Sequence, residues 1–179
     1  MEKAISTRTV FNGRILSVRV DTVLTGHGRE TTREVVERPD TVSVVAVDAN
    51  DQILLVRQYR YATGKYTVEI PAGTIDPGET LEEAARRELR EETGYDCDRL
   101  RPLYTYSPAI GYSTEKMTIF LAMGLKLAPL RGDEDDISID RRPFAQVLRS
   151  VVEGSSIFED AKSTIGILLA AKALKQLEP

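Results

Sequence analysis

Between Pro71 and Gly94 the chain changes its period, and that change limits what the rest can fold into. As far as Tyr61, apolar residues recur at alternate positions or in short β-branched runs. From Leu81 they recur at helical spacing, with Leu81, Ala84, Ala85 and Leu89 on one stripe and Glu and Arg elsewhere. Thr80 and Glu83 form a capping box in front of this stripe and Gly94 supplies a stop, which predicts a helix between them.

The same reading places the other elements. Residues 9–25 carry Val10, Ile15, Val18, Val20 and Val23 among polar residues, with a turn at Asn12-Gly13, and predict a hairpin. Strands follow at Thr31–Glu37, Thr41–Val47, Ile53–Tyr61, Leu100–Tyr106 and Met117–Ala122, separated by the Gly26-His27-Gly28 and Asn50-Asp51 turns. Helices are expected near Pro143–Glu153 and Ala161–Leu177, after an acidic loop at Asp133–Asp136. Strands on both sides of the central helix, with two helices closing the chain, make an α+β chain. Its 179 residues suffice for one well-buried core with a modest appendage, and Arg38-Pro39 marks a seam.

The 41% hydrophobic and 29% charged composition is that of a globular chain. A net charge of −4 argues against a nucleic-acid partner, which needs a basic face. A small anionic substrate remains compatible, because local arginines and metal ions override the net sign. Cys97 is the sole cysteine, so no internal disulfide or thiolate cluster can form. The start Met-Glu-Lys-Ala lacks signal-peptide order, and apolar runs such as Ile165–Ala171 are too short to span a bilayer; the expectation is a cytoplasmic chain without a membrane partner. His27, in a turn, reads as structural or solvent-facing, and Cys97 as a small buried residue.

The end of the central helix is electrostatically odd. Glu88, Glu91 and Glu92 share a face at i, i+3, i+4, where like charges repel, and sit where the helix dipole disfavours anions. A solvated acidic face is one explanation, and a bound hard cation with oxygen ligands is the other. The preceding loop, Pro71-Ala72-Gly73-Thr74-Ile75-Asp76-Pro77-Gly78-Glu79, joins a strand to this helix through two glycines and two prolines. Such a loop can hold carbonyls and a carboxylate against a metal–phosphate unit.

Together Gly73, Glu79, Arg87, Glu88, Leu89, Glu91, Glu92 and Gly94 resemble the Nudix box, G-x5-E-x7-R-E-U-x-E-E-x-G-U, at every fixed position. Tyr95 departs from the bulky aliphatic residue usual at the last place. The resemblance implies a Nudix fold: a mixed β-sheet sandwiched between α-helices, here with a small N-terminal antiparallel β-sheet. It implies a site for Mg²⁺, or Mn²⁺ in its place, with Glu88, Glu91, Glu92 and the Ala72 carbonyl as ligands. Arg87 orients those carboxylates by charge-assisted hydrogen bonds. The implied reaction is metal-dependent hydrolysis of a diphosphate linkage, with Glu91 and Glu92 in the catalytic set.

Beyond the box, Arg33-Glu34-Val35-Val36-Glu37-Arg38, Arg57-Gln58-Tyr59-Arg60, Glu69-Ile70-Pro71-Ala72-Gly73, Gly111-Tyr112-Ser113-Thr114-Glu115 and Asp160-Ala161-Lys162 resemble the ADP-ribose pyrophosphatase branch. That resemblance implies ADP-ribose as substrate, giving AMP and ribose 5-phosphate. It carries phosphate or nucleotide contacts to Arg33 and Arg60, and positions near the metals and terminal ribose to Glu69 and Glu115. The base belongs to the acidic loop, where Glu134 fits, with Asp135 as its neighbouring alternative. It further implies that residues 1–39 are a β subdomain building a homodimer and residues 40–179 the catalytic domain. The branch usually has a Ser-Pro-Gly turn where this chain has Ala109-Ile110-Gly111, with Pro108 two residues early, so GDP-mannose or another nucleoside diphosphate sugar stands as the alternative substrate. A non-catalytic nucleotide-binding regulator would lack box glutamates, and all are present; an isopentenyl diphosphate isomerase would need a catalytic cysteine and an altered box.

Overall fold

The computed structural model describes residues 1–132 and 136–175. It divides into two compact units, one made of Met1–Asp40 with Tyr106–Met117, the other of Thr41–Thr105 with the described part of Thr118–Pro179.

In the first unit, β1 (Lys3–Asn12), β2 (Ser17–Leu24) and β3 (Glu30–Glu37) form an antiparallel sheet in chain order. The hairpin closes where the Gly13 N–H donates to the Leu16 carbonyl at 2.9 Å, next to the expected Asn12-Gly13 turn. β1 begins at Lys3, well before residue 9, because strand pairing with β2 runs on through polar residues that carry little periodic signal. Every residue of β1 is exposed, Ile5, Val10 and Phe11 among them. The segment before Glu115 is laced to the end of β3: the Val36 N–H donates to the Tyr112 carbonyl at 2.8 Å, and the Thr114 N–H to the Val36 carbonyl at 3.0 Å.

The second unit is built on a seven-stranded mixed sheet of β4 (Thr41–Val47), β5 (Gln52–Arg60), β6 (Lys65–Glu69), β7 (Ala72–Thr74), β8 (Tyr95–Tyr106), β9 (Met117–Leu127) and β10 (Ser138–Pro143). Its order is β10-β5-β4-β9-β8, with β6 paired to β5 and β7 to β4. Among the described residues three helices accompany it: α1 (Leu81–Thr93), α2 (Phe144–Val152) and α3 (Ala161–Lys175).

Every residue of β4 is buried, and its alternation explains how. Val42, Val44 and Ala46 join Leu54, Phe120 and Ala122 in a core with Ala84, Ala85 and Leu89 of α1. Val45 points the other way, to α3, where a Cβ on Gly166 would lie 2.9 Å from Val45 and 3.1 Å from Ile70. Glycine inside a helix costs roughly 1 kcal/mol against alanine. Here its missing side chain lets α3 settle on the sheet, so β4 is covered on both faces as its β-branched run requires.

The α1 caps are those the sequence predicts. The Thr80 hydroxyl accepts the Glu83 N–H, the Glu83 carboxylate accepts the Thr80 N–H, and Gly94 closes the helix in the left-handed region at φ 75°. Strand β8 begins at Tyr95, five residues before the expected Leu100, directly from this cap. Strand β6 is the strand that leads into the Pro71–Glu79 loop, whereas β7, within that loop, and β10 have no counterpart in the sequence reading.

Candidate active site

The buried stripe of α1 includes a carboxylate. Ala84, Ala85 and Leu89 lie in the core, and Glu88, on the same face, is 9% exposed and turned onto the loop. A Cβ added to Gly73 would fall 2.0 Å from the Glu88 carboxyl carbon, so this position admits only glycine while Glu88 holds its place. Strand β7 carries that glycine opposite Val42, and Ala72 opposite Ser43. The Ala72 N–H donates to Glu92 Oε2 at 3.0 Å, so the second half of the box also grips the loop.

Arg87 joins the parts. Its Nε and Nη2 donate to the two oxygens of Glu79 at 2.8 and 2.9 Å, and Nη2 also to the Thr74 carbonyl at 2.9 Å. Its Nη1 donates to Glu88 Oε1 at 2.7 Å and Glu91 Oε2 at 3.2 Å. The Glu79 carboxylate pushes the Arg87 pKa further above its already high value, against the opposing effect of burial. Arg87 in turn holds Glu79 below the usual carboxylate range. The repulsion within the acidic face is thus answered in part by Arg87, the residue that the motif resemblance implies for orienting these carboxylates. One guanidinium among Glu79, Glu88 and Glu91, with Glu92 beside them on Ala72, still leaves the site anionic.

Among the described residues no three acidic, histidine or cysteine side chains already converge as a metal cage. The donor chemistry nevertheless fits a hard divalent cation, since Glu88, Glu91, Glu92 and the Ala72 backbone offer oxygen alone. An ionised carboxylate has about four acceptor positions, so orientation by a guanidinium and ligation of a metal are compatible.

A second polar group lies just upstream of the box. Arg60 of β5 makes a bidentate pair with Glu69 of β6, at 2.7 and 2.8 Å. Glu69 also accepts from the Thr67 hydroxyl at 2.6 Å and from the Lys162 ammonium. Burial alone would raise the Glu69 pKa, but the Arg60 hydrogen bonds, the Lys162 charge and the Thr67 hydroxyl outweigh it and hold the carboxyl far below its ordinary range. Lys162, with Asp160 and Thr67, was assigned no role from the sequence. The signal was present only as the Asp160-Ala161-Lys162 segment, because these residues come together through chain separations as long as 93 residues.

The remaining candidates are placed separately. Arg33, on β3, pairs with Glu2, with Nε to Oε2 at 3.0 Å. Glu115 is 7% exposed and lies 3.5 Å from Arg38. Both belong to the first unit, whereas Arg60, Glu69 and the box belong to the second. Glu134 and Asp135 fall outside the described residues. Cys97 is buried in the α1 core and its thiol is pushed up by that burial, which is the wrong setting for a nucleophile. His27 is exposed.

Residues 37–147 match the NUDIX domain and residues 2–36 the nucleoside diphosphate sugar hydrolase N-terminal domain. The chain belongs to the Nudix hydrolase family. It is 37% identical over 140 residues to the methanol dehydrogenase activator of Bacillus methanolicus, covering 78% of this chain and 76% of that one. The ADP-ribose pyrophosphatase of Mycobacterium tuberculosis is 36% identical over 159 residues (87% and 77% of the two chains), and that of Bacillus subtilis 33% over 152 residues (85% and 80%). A crystal structure of an ADP compounds hydrolase superposes with a TM-score of 0.89 at 30% identity, over 99% of this chain and 96% of the other. The likeness to the two ADP-ribose pyrophosphatases covers 85% and 87% of this Nudix hydrolase. No helix among its described residues is long and apolar enough to cross a membrane.

The Glu69 cluster has a pH signature. A carboxylate whose folded pKa lies below its unfolded value of about 4.3 stabilises fully above that value, and its contribution is lost as pH falls toward the folded pKa. Glu69→Gln removes one of the two carboxylates on buried Lys162, leaving Asp160 at 3.1 Å, and is expected to cost about 1–3 kcal/mol at neutral pH. Urea unfolding of both proteins from neutral to strongly acidic pH should show the gap narrowing as acid protonates Glu69 in the parent. A gap that stays constant over that range contradicts the assignment.

Proposed function

We propose that this Nudix hydrolase cleaves the diphosphate linkage of ADP-ribose with Mg²⁺, or Mn²⁺ in its place, giving AMP and ribose 5-phosphate. The observation that supports the metal site is the packing of Glu88 onto Gly73 under Arg87, with Glu91 on the same guanidinium and Glu92 on the Ala72 N–H. Those four residues would hold the metal. When bound, it supplies charge neutralisation at the diphosphate oxygens and acidifies a water.

The chain's own groups carry the rest. Arg87 keeps the Glu88 and Glu91 carboxylates from swinging apart, so little reorganisation is left for the reaction itself. Glu134 is assigned as the base that takes the water proton while oxygen attacks phosphorus and the bridging P–O bond breaks. Arg60, with its side chain 39% exposed and oriented by Glu69, is assigned to the substrate's phosphates, and Arg33 and Glu115 to the nucleotide and the terminal ribose. Support for ADP-ribose comes from the relatives named as its pyrophosphatases and from the ADP compounds hydrolase structure. The altered turn at Ala109-Ile110-Gly111 favours testing GDP-mannose beside it.

Residues 1–39 are assigned to a homodimer interface in a cytoplasmic enzyme. Ile5, Val10, Phe11 and Ile15 in this segment are exposed apolar residues of the kind a second copy covers. Light scattering is expected to give twice the 19.9 kDa chain mass, and Phe11→Asp to shift it toward the monomer. A parent at monomer mass at all concentrations removes the dimer.

Hydrolysis of ADP-ribose, GDP-mannose, UDP-glucose, FAD, NADH and diadenosine polyphosphates with Mg²⁺ tests the activity. ADP-ribose is expected to give the highest kcat/KM, and Glu92→Gln to lower kcat at least about 100-fold, the scale of losing one transition-state charge stabiliser. GDP-mannose as the preferred substrate changes the substrate assignment alone. No cleavage by the parent, or an unaltered rate for Glu92→Gln, removes the catalytic assignment.

A further inference from the structure

Between Glu69 and Ala72 the chain leaves one strand partner for another. Strand β6 pairs with β5 as far as Glu69, opposite Val56, and β7 pairs with β4 from Ala72, opposite Ser43. At the crossing, Ile70 is fully buried and its N–H donates to the Ser163 hydroxyl at 3.0 Å. The Pro71 carbonyl then accepts the Val44 N–H at 2.8 Å, and the box begins.

The first turn of α3 is built to meet this crossing. Asp160 caps the helix by accepting the Ser163 N–H at 2.8 Å, and the same Oδ1 accepts from Lys162 at 3.1 Å. Lys162 is 9% exposed and reaches Glu69, the last residue of β6. Two consecutive residues of α3 therefore hold two consecutive residues of the strand, one by charge and one by a hydrogen bond. Gly166, one turn on, lets the helix approach Ile70 closely enough for both contacts.

We propose that Lys162, with Asp160 and Ser163, is a positioning unit that sets the Ala72–Gly73 backbone, and through it the Glu88 and Glu92 carboxylates, for metal binding. This rests on the reading of the box as the metal site. The link is short: Ala72 N–H holds Glu92, and Gly73 receives Glu88 so closely that a small backbone displacement moves the carboxylate. Buried ion pairs are often replaceable by apolar residues without loss of stability, so stability alone does not account for a lysine at this crossing. Residues that orient metal ligands typically change affinity or activity by about 10–100-fold when removed.

The test compares the parent with Lys162→Met, Lys162→Arg and Ser163→Ala. Mn²⁺ affinity is measured by electron paramagnetic resonance of the free ion, without substrate, and kcat and KM with ADP-ribose. Lys162→Met is expected to weaken Mn²⁺ binding and lower kcat, each by about 10-fold or more, with KM little changed. Lys162→Arg should recover most of both, and Ser163→Ala should weaken Mn²⁺ binding in the same direction. A folded Lys162→Met with parental Mn²⁺ affinity and kcat overturns the proposal. If Lys162→Met does not fold, parental affinity and kcat in Ser163→Ala overturn it. Should the parent cleave no diphosphate, the substrate reading fails, while the Mn²⁺ comparison still decides the positioning role.

Discussion

The Arg87 guanidinium holds the loop and the helix of the Nudix box in one piece. Its donors reach Glu79 and Thr74 on the loop side and Glu88 and Glu91 on the helix side. A planar fork of fixed donors can satisfy all of these at once, which a lysine ammonium cannot. The anionic end of α1 would otherwise be unfavourable, with several carboxylates near a helix C-terminus. Held by Arg87, those charges become an organised set of oxygens.

That organisation depends on scaffolding from both faces of one strand. The even-numbered residues of β4 pack against α1 and Val45 packs toward α3, so the strand flanking β7 has helices on either side. Residues Ala72 and Gly73 are then fixed by β4, by Glu92 and by the turn that Glu69 and Ile70 make against α3. A site built on a packed helix and sheet keeps its ligands in register more closely than one carried on free loops.

What the sequence made legible was mostly local. The α1 caps, its apolar stripe and the glycine at its end depend on residues three or four apart. The structure reproduces the caps, the glycine and the burial of Ala84, Ala85 and Leu89, while Leu81, in the first turn, is exposed. The buried run Thr41–Val47 was legible because β-branched residues without alternation suit a strand covered twice. Strand β7 was not, since Ala72-Gly73-Thr74 is too short and small to carry a pattern. Nor was β10, an edge strand reading Ser-Ile-Asp-Arg-Arg-Pro, whose charges and proline suit an edge and hide the strand. The acidic spacing by itself left a solvated face or a bound cation open, and Arg87, which the motif resemblance implies for orienting these carboxylates, lies against Glu88 and Glu91. The Lys162–Glu69 pair escaped because nothing local marks two residues brought together across 93 positions.

The central claim is that the end of α1 holds a divalent cation between the carboxylates that Arg87 orients. Anomalous diffraction from crystals soaked in Mn²⁺ tests it most directly. A peak bordered by Glu88, Glu91, Glu92 and the Ala72 carbonyl is the result this account requires. Saturating Mn²⁺ that gives no peak there, or peaks only elsewhere on the protein, would contradict it.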